Sequence, residues 1–207
     1  MTERQEIINK AAELYLKYGI KSITVDDLAN ELGISKKTIY QHISNKEELL
    51  EAVINELTSI IHNGIEKEMG SSEDVFDSLL RVSVFLVTTM EKLSSSFVYS
   101  LKKYQHPLYC NLKDFTDKEL YSRAEKLIKT GIEKGYFRND LTFNSLFVIQ
   151  MHKLSGMANA PAGFQNVQYT KETFFMLLVN DIRGITTLEG HKILDDKVKK
   201  FLKIINS

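Results

Sequence analysis

Cysteine is almost absent from this 207-residue chain: Cys110 stands alone, so no intrachain disulfide can form and a reducing compartment suits it. Proline is nearly as scarce, at Pro107 and Pro161 only, which leaves long stretches where a helix meets no breaker. Excess charge is missing too. The 27 basic and 27 acidic residues cancel, which argues against coating nucleic acid by bulk charge but leaves room for a local basic patch. No apolar run approaches the roughly 20 residues that span a bilayer; even 83–90 is short and flanked by Arg81 and Glu91. The N-terminus, Met1 to Glu6, lacks the basic-then-apolar layout of a secretion signal, so the expected location is cytoplasmic, with no membrane partner. His42, His62, His106, His152 and His191 are scattered without metal-ligand spacing, and there is no phosphate-binding glycine loop or nucleophile elbow. No cofactor, no metal and no catalytic residue are expected.

What fills the chain is helical spacing of apolar residues, and an all-α fold follows. A first helix is expected from about Arg4 to Tyr18, with Ile7, Ile8, Ala11, Ala12, Leu14 and Tyr15 inward and Gly19 ending it in the left-handed conformation. After two short helices, a long fourth one opens at a capping box of Ser44 and Glu47 and carries Leu49, Leu50, Val53, Ile54, Leu57, Ile60, Ile61 and Ile65. A fifth helix is capped by Ser71 or Ser72. A sixth covers Ser95 to Tyr104, and His106-Pro107 turns the chain before 108–115. A second capping box, Thr116 to Glu119, opens a helix ending near Gly135, followed by the polar turn Arg138-Asn139-Asp140. Two strongly apolar helices, about Thr142–Ala158 and Lys171–Leu188, flank a loop at 160–163, and 188–205 forms a last amphipathic helix. The apolar faces of those two helices are wide, as expected if one side meets the subunit core and the other a second subunit.

The informative segment is 24–43. Thr24 can cap a helix whose inner face is Val25, Leu28, Ala29 and Leu32; Gly33 permits a tight turn, and Ser35 caps a second short helix that buries Ile39. Ala29 is small where two short helices approach closely, and Ile34 can plug the turn. This is the pattern of a helix-turn-helix, with the second helix, about Lys36 to His42, suited to the major groove. Lys36, Tyr40 and Lys46 are expected on the phosphate backbone, and Lys37, Thr38 and Gln41 on base edges, with His42 at the end of the same surface. Asp26, Asp27, Glu31, Glu47 and Glu48 should point away from DNA, since they would repel phosphate.

With these residues in place, the first quarter of the chain resembles the TetR family of bacterial repressors. The resemblance rests on Ile8, Ala11, Ala12, Leu14 and Gly19, on Thr24-Val25-x-x-Leu28-Ala29, Leu32-Gly33-Ile34-Ser35 and Thr38-Ile39-Tyr40, and on Asn45-Lys46-Glu47-Glu48-Leu49-Leu50. The family usually carries an aromatic pair after the recognition helix; here His42 and Ile43 stand there, and Lys37 takes a site often held by a small residue. The resemblance implies an N-terminal three-helix head, residues 1–50, joined by the long fourth helix to a helical ligand-binding and dimerisation body, residues 51–207. It also implies a homodimer formed through the last two major helices, a double-stranded DNA operator of palindromic sequence, and a small organic effector whose binding releases the repressor.

For the effector pocket, Phe85, Met90, Phe97, Tyr99, Tyr104, His106, Tyr109, Cys110, Met151, His152 and Phe175 combine apolar bulk with polar handles, although such residues more often simply fill a core. Two other readings compete with the repressor. A helical interaction module that keeps the head without operator binding is suggested by the zero net charge and the His42-Ile43 departure; a small-molecule-transforming enzyme is the least favoured.

Overall fold

The computed structural model describes residues 2–70, 74–92, 95–158 and 170–205, apart from the side chains at 90, 91, 95 and 154–158. The described residues form ten helices: α1 Glu3–Tyr18, α2 Val25–Leu32, α3 Lys36–His42, α4 Lys46–Gly70, α5 Val75–Glu91, α6 Ser95–Tyr104, α7 His106–Glu133, α8 Phe143–Ala158, α9 Lys171–Ile185 and α10 Leu188–Ile205. The only sheet-like pairing among them is one antiparallel bridge between Phe137 and Thr186. The fold is all-α, and none of the described helices is long and apolar enough to cross a membrane.

The backbone packs as two units. The first holds residues 1–63 and 89–116, the second 64–88 and 117–207, so α4 and α7 each contribute to both. In the first unit, Ile7, Ala11, Leu14 and Tyr15 of α1 pack with Leu28 and Ala29 of α2, Ile39 of α3 and the Leu49, Leu50, Val53 and Ile54 face of α4. Phe97 and Leu101 of α6 complete this core. Residues far along the sequence therefore brace the N-terminal helices, and burying Phe97 alone contributes about 2–3 kcal/mol. In the second unit, Val75, Phe76 and Leu80 of α5 pack with Phe175 and Val179 of α9 and Leu194, Val198 and Phe201 of α10. There the α9–α10 corner is tied down by the Arg138 amide on the Ile185 carbonyl at 2.9 Å and the Thr187 amide on the Tyr136 carbonyl at 3.0 Å. Gly190 allows the approach, because a Cβ there would lie 2.1 Å from the Tyr136 carbonyl oxygen.

Several expected boundaries move. Asn45, not Ser44, caps α4: its Oδ1 accepts from the Glu48 amide at 2.9 Å, and the Glu48 carboxylate accepts from the Ser44 amide at 2.7 Å, so the box is shifted by one residue. Thr116 opens no helix. Nothing between Leu108 and Phe115 interrupts α7, and a capping sequence inside an unbroken helix has no free amide to satisfy; the Thr116 hydroxyl instead donates to the Leu112 carbonyl at 2.8 Å. Pro107 stands in the first turn of α7, where a missing N–H costs nothing, so the break falls at Gln105. Helix α9 stops at Ile185, short of Leu188, where Thr186 turns out as an extended cap. Gly19 ends α1 with φ 87° and ψ 155°, a positive φ outside the left-handed helical region. Asp74 caps α5 through the Asp77 amide at 3.0 Å; the expected Ser71 or Ser72 cap and the 160–163 loop lie outside the described residues.

Candidate nucleic-acid interface

The helix-turn-helix is built from reciprocal caps. The Thr24 hydroxyl accepts from the Asp27 amide at 3.2 Å while the Asp27 carboxylate accepts from the Thr24 amide at 2.8 Å, which starts α2. The Thr24 hydroxyl also donates to the Asp27 carboxylate at 2.6 Å, and this bond, together with the one from the Thr24 amide, holds the Asp27 carboxyl below the usual carboxylate range. At the other end Gly33 takes φ 67° and ψ 27°, and the Ile34 amide reaches back to the Ala29 carbonyl at 3.0 Å, closing a Schellman turn. Only glycine enters that conformation without strain. Ser35 then starts α3, its hydroxyl accepting from the Thr38 amide at 3.0 Å. Ile39 is buried on the inner side of α3, and Ile43, also buried, fills the place just beyond it.

Burying Ile39 turns the rest of this short helix outward. Lys36, Lys37, Tyr40 and Gln41 are exposed, with Tyr40 at 50 %, whereas Thr38 and His42 are half-buried. Lys36 pairs with Asp26 of α2 at 2.5 Å, so part of its charge is already matched. Thr38 shares a hydrogen bond with the Ser35 hydroxyl at 2.9 Å, and His42 Nε2 stands 3.2 Å from the Glu3 carboxylate at the start of α1. Lys37 and Gln41 carry no such tether among the described residues. Lys46 sits differently from the others: its ammonium donates to the Ile23 carbonyl at 2.6 Å, and burial lowers its pKa, with the Asp27 charge partly offsetting. Most of the acidic residues are engaged within the fold: Glu31 lies 3.6 Å from Lys10, and Glu48 accepts from the Ser44 amide and pairs with Arg4 at 3.3 Å, while Glu47 is exposed.

The second unit contains an apolar cavity of about 440 Å³, lined by Leu79 and Leu86 of α5, Leu120 and Ile128 of α7, Phe147 and Met151 of α8 and Ile182 of α9. Its polar side includes Asn180, Gln150 and the Lys153–Asp181 ion pair. Of the residues expected around a pocket, Met151 alone lines this cavity. Phe97 and Phe175 are core residues of the first and second units, and Phe85 packs over Gly64. Tyr99 and Tyr104 are exposed and stack edge-on, 6.5 Å between centroids. His106 lies over Tyr109 and 3.5 Å from the Cys110 sulfur at the start of α7, and exposed His152 bonds the Val148 carbonyl. The Met90 side chain lies outside the described residues. The cavity draws instead on apolar residues from four helices, the aromatic Phe143 and Phe147 among them. The wide apolar faces of α8 and α9, which the sequence suggested would meet a second subunit, supply part of this lining.

A short two-helix unit with a glycine turn, a buried Ile39 and an exposed second helix is a helix-turn-helix, the motif whose second helix suits the major groove. Residues 7–53 match the model of the bacterial regulatory proteins of the tetR family. The match covers the N-terminal quarter of the chain, the helix-turn-helix and the helices on either side of it. The chain is 32 % identical over 100 residues to the uncharacterized HTH-type transcriptional regulator YvaF of Bacillus subtilis, an alignment covering 47 % of this chain and 52 % of that one. Thus the chain spans about half the length of that relative. Similarity to the HTH-type transcriptional repressor KstR2 of Mycolicibacterium smegmatis runs further, 21 % identity over 210 residues, 92 % of this chain and 94 % of the other. Among solved structures, a TetR transcriptional regulator from Chloroflexus aurantiacus superposes with a TM-score of 0.70 at 17 % identity, over 88 % of this chain and 95 % of that one, which establishes the shared fold.

Proposed function

We propose that the chain is a homodimeric transcriptional repressor that holds a palindromic double-stranded DNA operator and releases it when a small organic molecule binds. The observation that carries this reading is the exposed face of α3, where Lys37, Tyr40 and Gln41 project from a helix locked in place by Ser35, Gly33 and Ile39. Gln41 offers a paired donor and acceptor to adenine, and Lys37 reaches guanine acceptors; Lys36 and Tyr40 meet phosphates, with Thr38 and His42 at the margins. Lys46 reaches a phosphate only by leaving the Ile23 carbonyl, so its first role is to anchor α4 beneath the motif. In this reading residues 1–50 form the DNA-binding head and 51–207 the effector-binding and dimerisation body. The apolar cavity supports an organic effector, because its size suits a small molecule and its lining offers little to a hydrophilic one.

The test is to expose purified protein to a random pool of duplexes and sequence those retained. An enriched inverted repeat, lost when salt is raised, is the expected result. Retention without any sequence enrichment would leave the exposed helix with no base-reading role.

A further inference from the structure

The first unit contains a second hollow that the DNA-reading face does not use. It is a cavity of about 280 Å³ between the end of α1, the start of α4 and the end of α6, with Ile20 and Leu50 as its apolar floor and Lys21, Lys46, Ser100 and Gln105 as polar lining. Three features of this lining point the same way. The Ser100 side chain is buried, only 6 % exposed, yet its hydroxyl has no hydrogen-bond partner among the described residues. The half-buried Lys46 ammonium has three donors and gives one to the Ile23 carbonyl. Lys21 rests over the Tyr104 ring, 3.3 Å from its centroid, and neither lysine takes part in an ion pair among the described residues. Lys21 is exposed and Lys46 half-buried, so the donors that the fold leaves over face a hollow that water can enter, and an oxyanion there would replace that water with a charge of the opposite sign.

We propose that this cavity binds a small organic oxyanion, its carboxylate or phosphate oxygens accepting from Lys46, Lys21 and Ser100 and its apolar part lying on Ile20 and Leu50. Glu47 also lines the cavity, but it is exposed, so water screens its charge from the bound group. The ligand shares Lys46 with the Ile23 carbonyl, and residue 23 immediately precedes the Thr24 cap of the helix-turn-helix. Occupancy therefore acts directly on the anchor of the reading head, from a site separate from the cavity of the second unit.

Calorimetric titration of the full-length protein without DNA tests this, using butyrate in one arm and inorganic phosphate in the other, each against sodium chloride at matched ionic strength. Saturable binding in at least one arm is expected, and the arm that binds distinguishes a carboxylate from a phosphate ligand. Ser100→Ala and Lys21→Ala should each weaken it about tenfold, since each removes one donor to a charged acceptor. Circular dichroism of both variants checks that they are folded. No saturable heat in either arm, or binding that both substitutions leave unchanged, would overturn the proposal.

Discussion

Tyr15 and Lys46, 5.9 Å apart from ring centroid to ammonium, give the first unit opposite responses to alkali. Burial pushes the Tyr15 phenol from its ordinary 10.0 up to about 12, so the folded protein prefers it neutral. The resulting stabilisation is complete below pH 10 and is lost as the pH rises from there to about 12; a two-unit difference is worth on the order of 2–3 kcal/mol. Tyr15→Phe should flatten that alkaline decline in urea-denaturation stability. Lys46 has the reverse sign. Its lowered pKa makes the charged form a cost in the folded state, one relieved as pH rises through its folded value towards 10.5. Lys46→Ala also removes the bond to the Ile23 carbonyl, and the balance should be a loss of about 1–2 kcal/mol, read from the same denaturation curves, with the preferred DNA sequence unchanged. Weaker binding to every DNA sequence at undiminished stability would instead place this lysine on a phosphate.

The helix-turn-helix depends on its caps more than on the intrinsic propensity of its short helices. Helix α3 has seven residues, too few to persist alone, and Ser35 supplies its only side-chain cap. Ser35→Ala should cost about 1 kcal/mol, visible as a lower thermal midpoint, and Gly33→Ala a similar amount through its left-handed backbone. These local devices were legible in the sequence, since Thr24, Gly33 and Ser35 act on neighbours within a few residues. Ile39 and Ile43 were legible as well, because their burial follows from helical spacing against α1. Long-range packing was not. Nothing local marks Phe97 and Leu101 as part of the N-terminal core, and the Thr116 box looked the same as a working one because only the continuity of α7 deprives it of a function. The apolar cavity was hidden for a related reason: Leu79, Leu120 and Ile182 read as ordinary core residues until four helices fail to close over them.

For the whole molecule, a chain with no net charge cannot hold DNA by bulk attraction, so under the proposed function affinity comes from a few lysines presented twice by a symmetric dimer. Binding should therefore weaken steeply with salt, and Lys36→Ala should lower the slope of log affinity against log salt by about one for each copy that loses a phosphate-contacting charge. Fluorescence anisotropy across a salt series measures it. The central claim, that the outer face of α3 reads base sequence, is tested most directly by selecting duplexes from one random pool with the native protein and with Gln41→Ala in parallel. The account predicts an inverted repeat for both, with the preference at one symmetric pair of positions relaxed in the variant. Identical consensus sequences from the two proteins would contradict it.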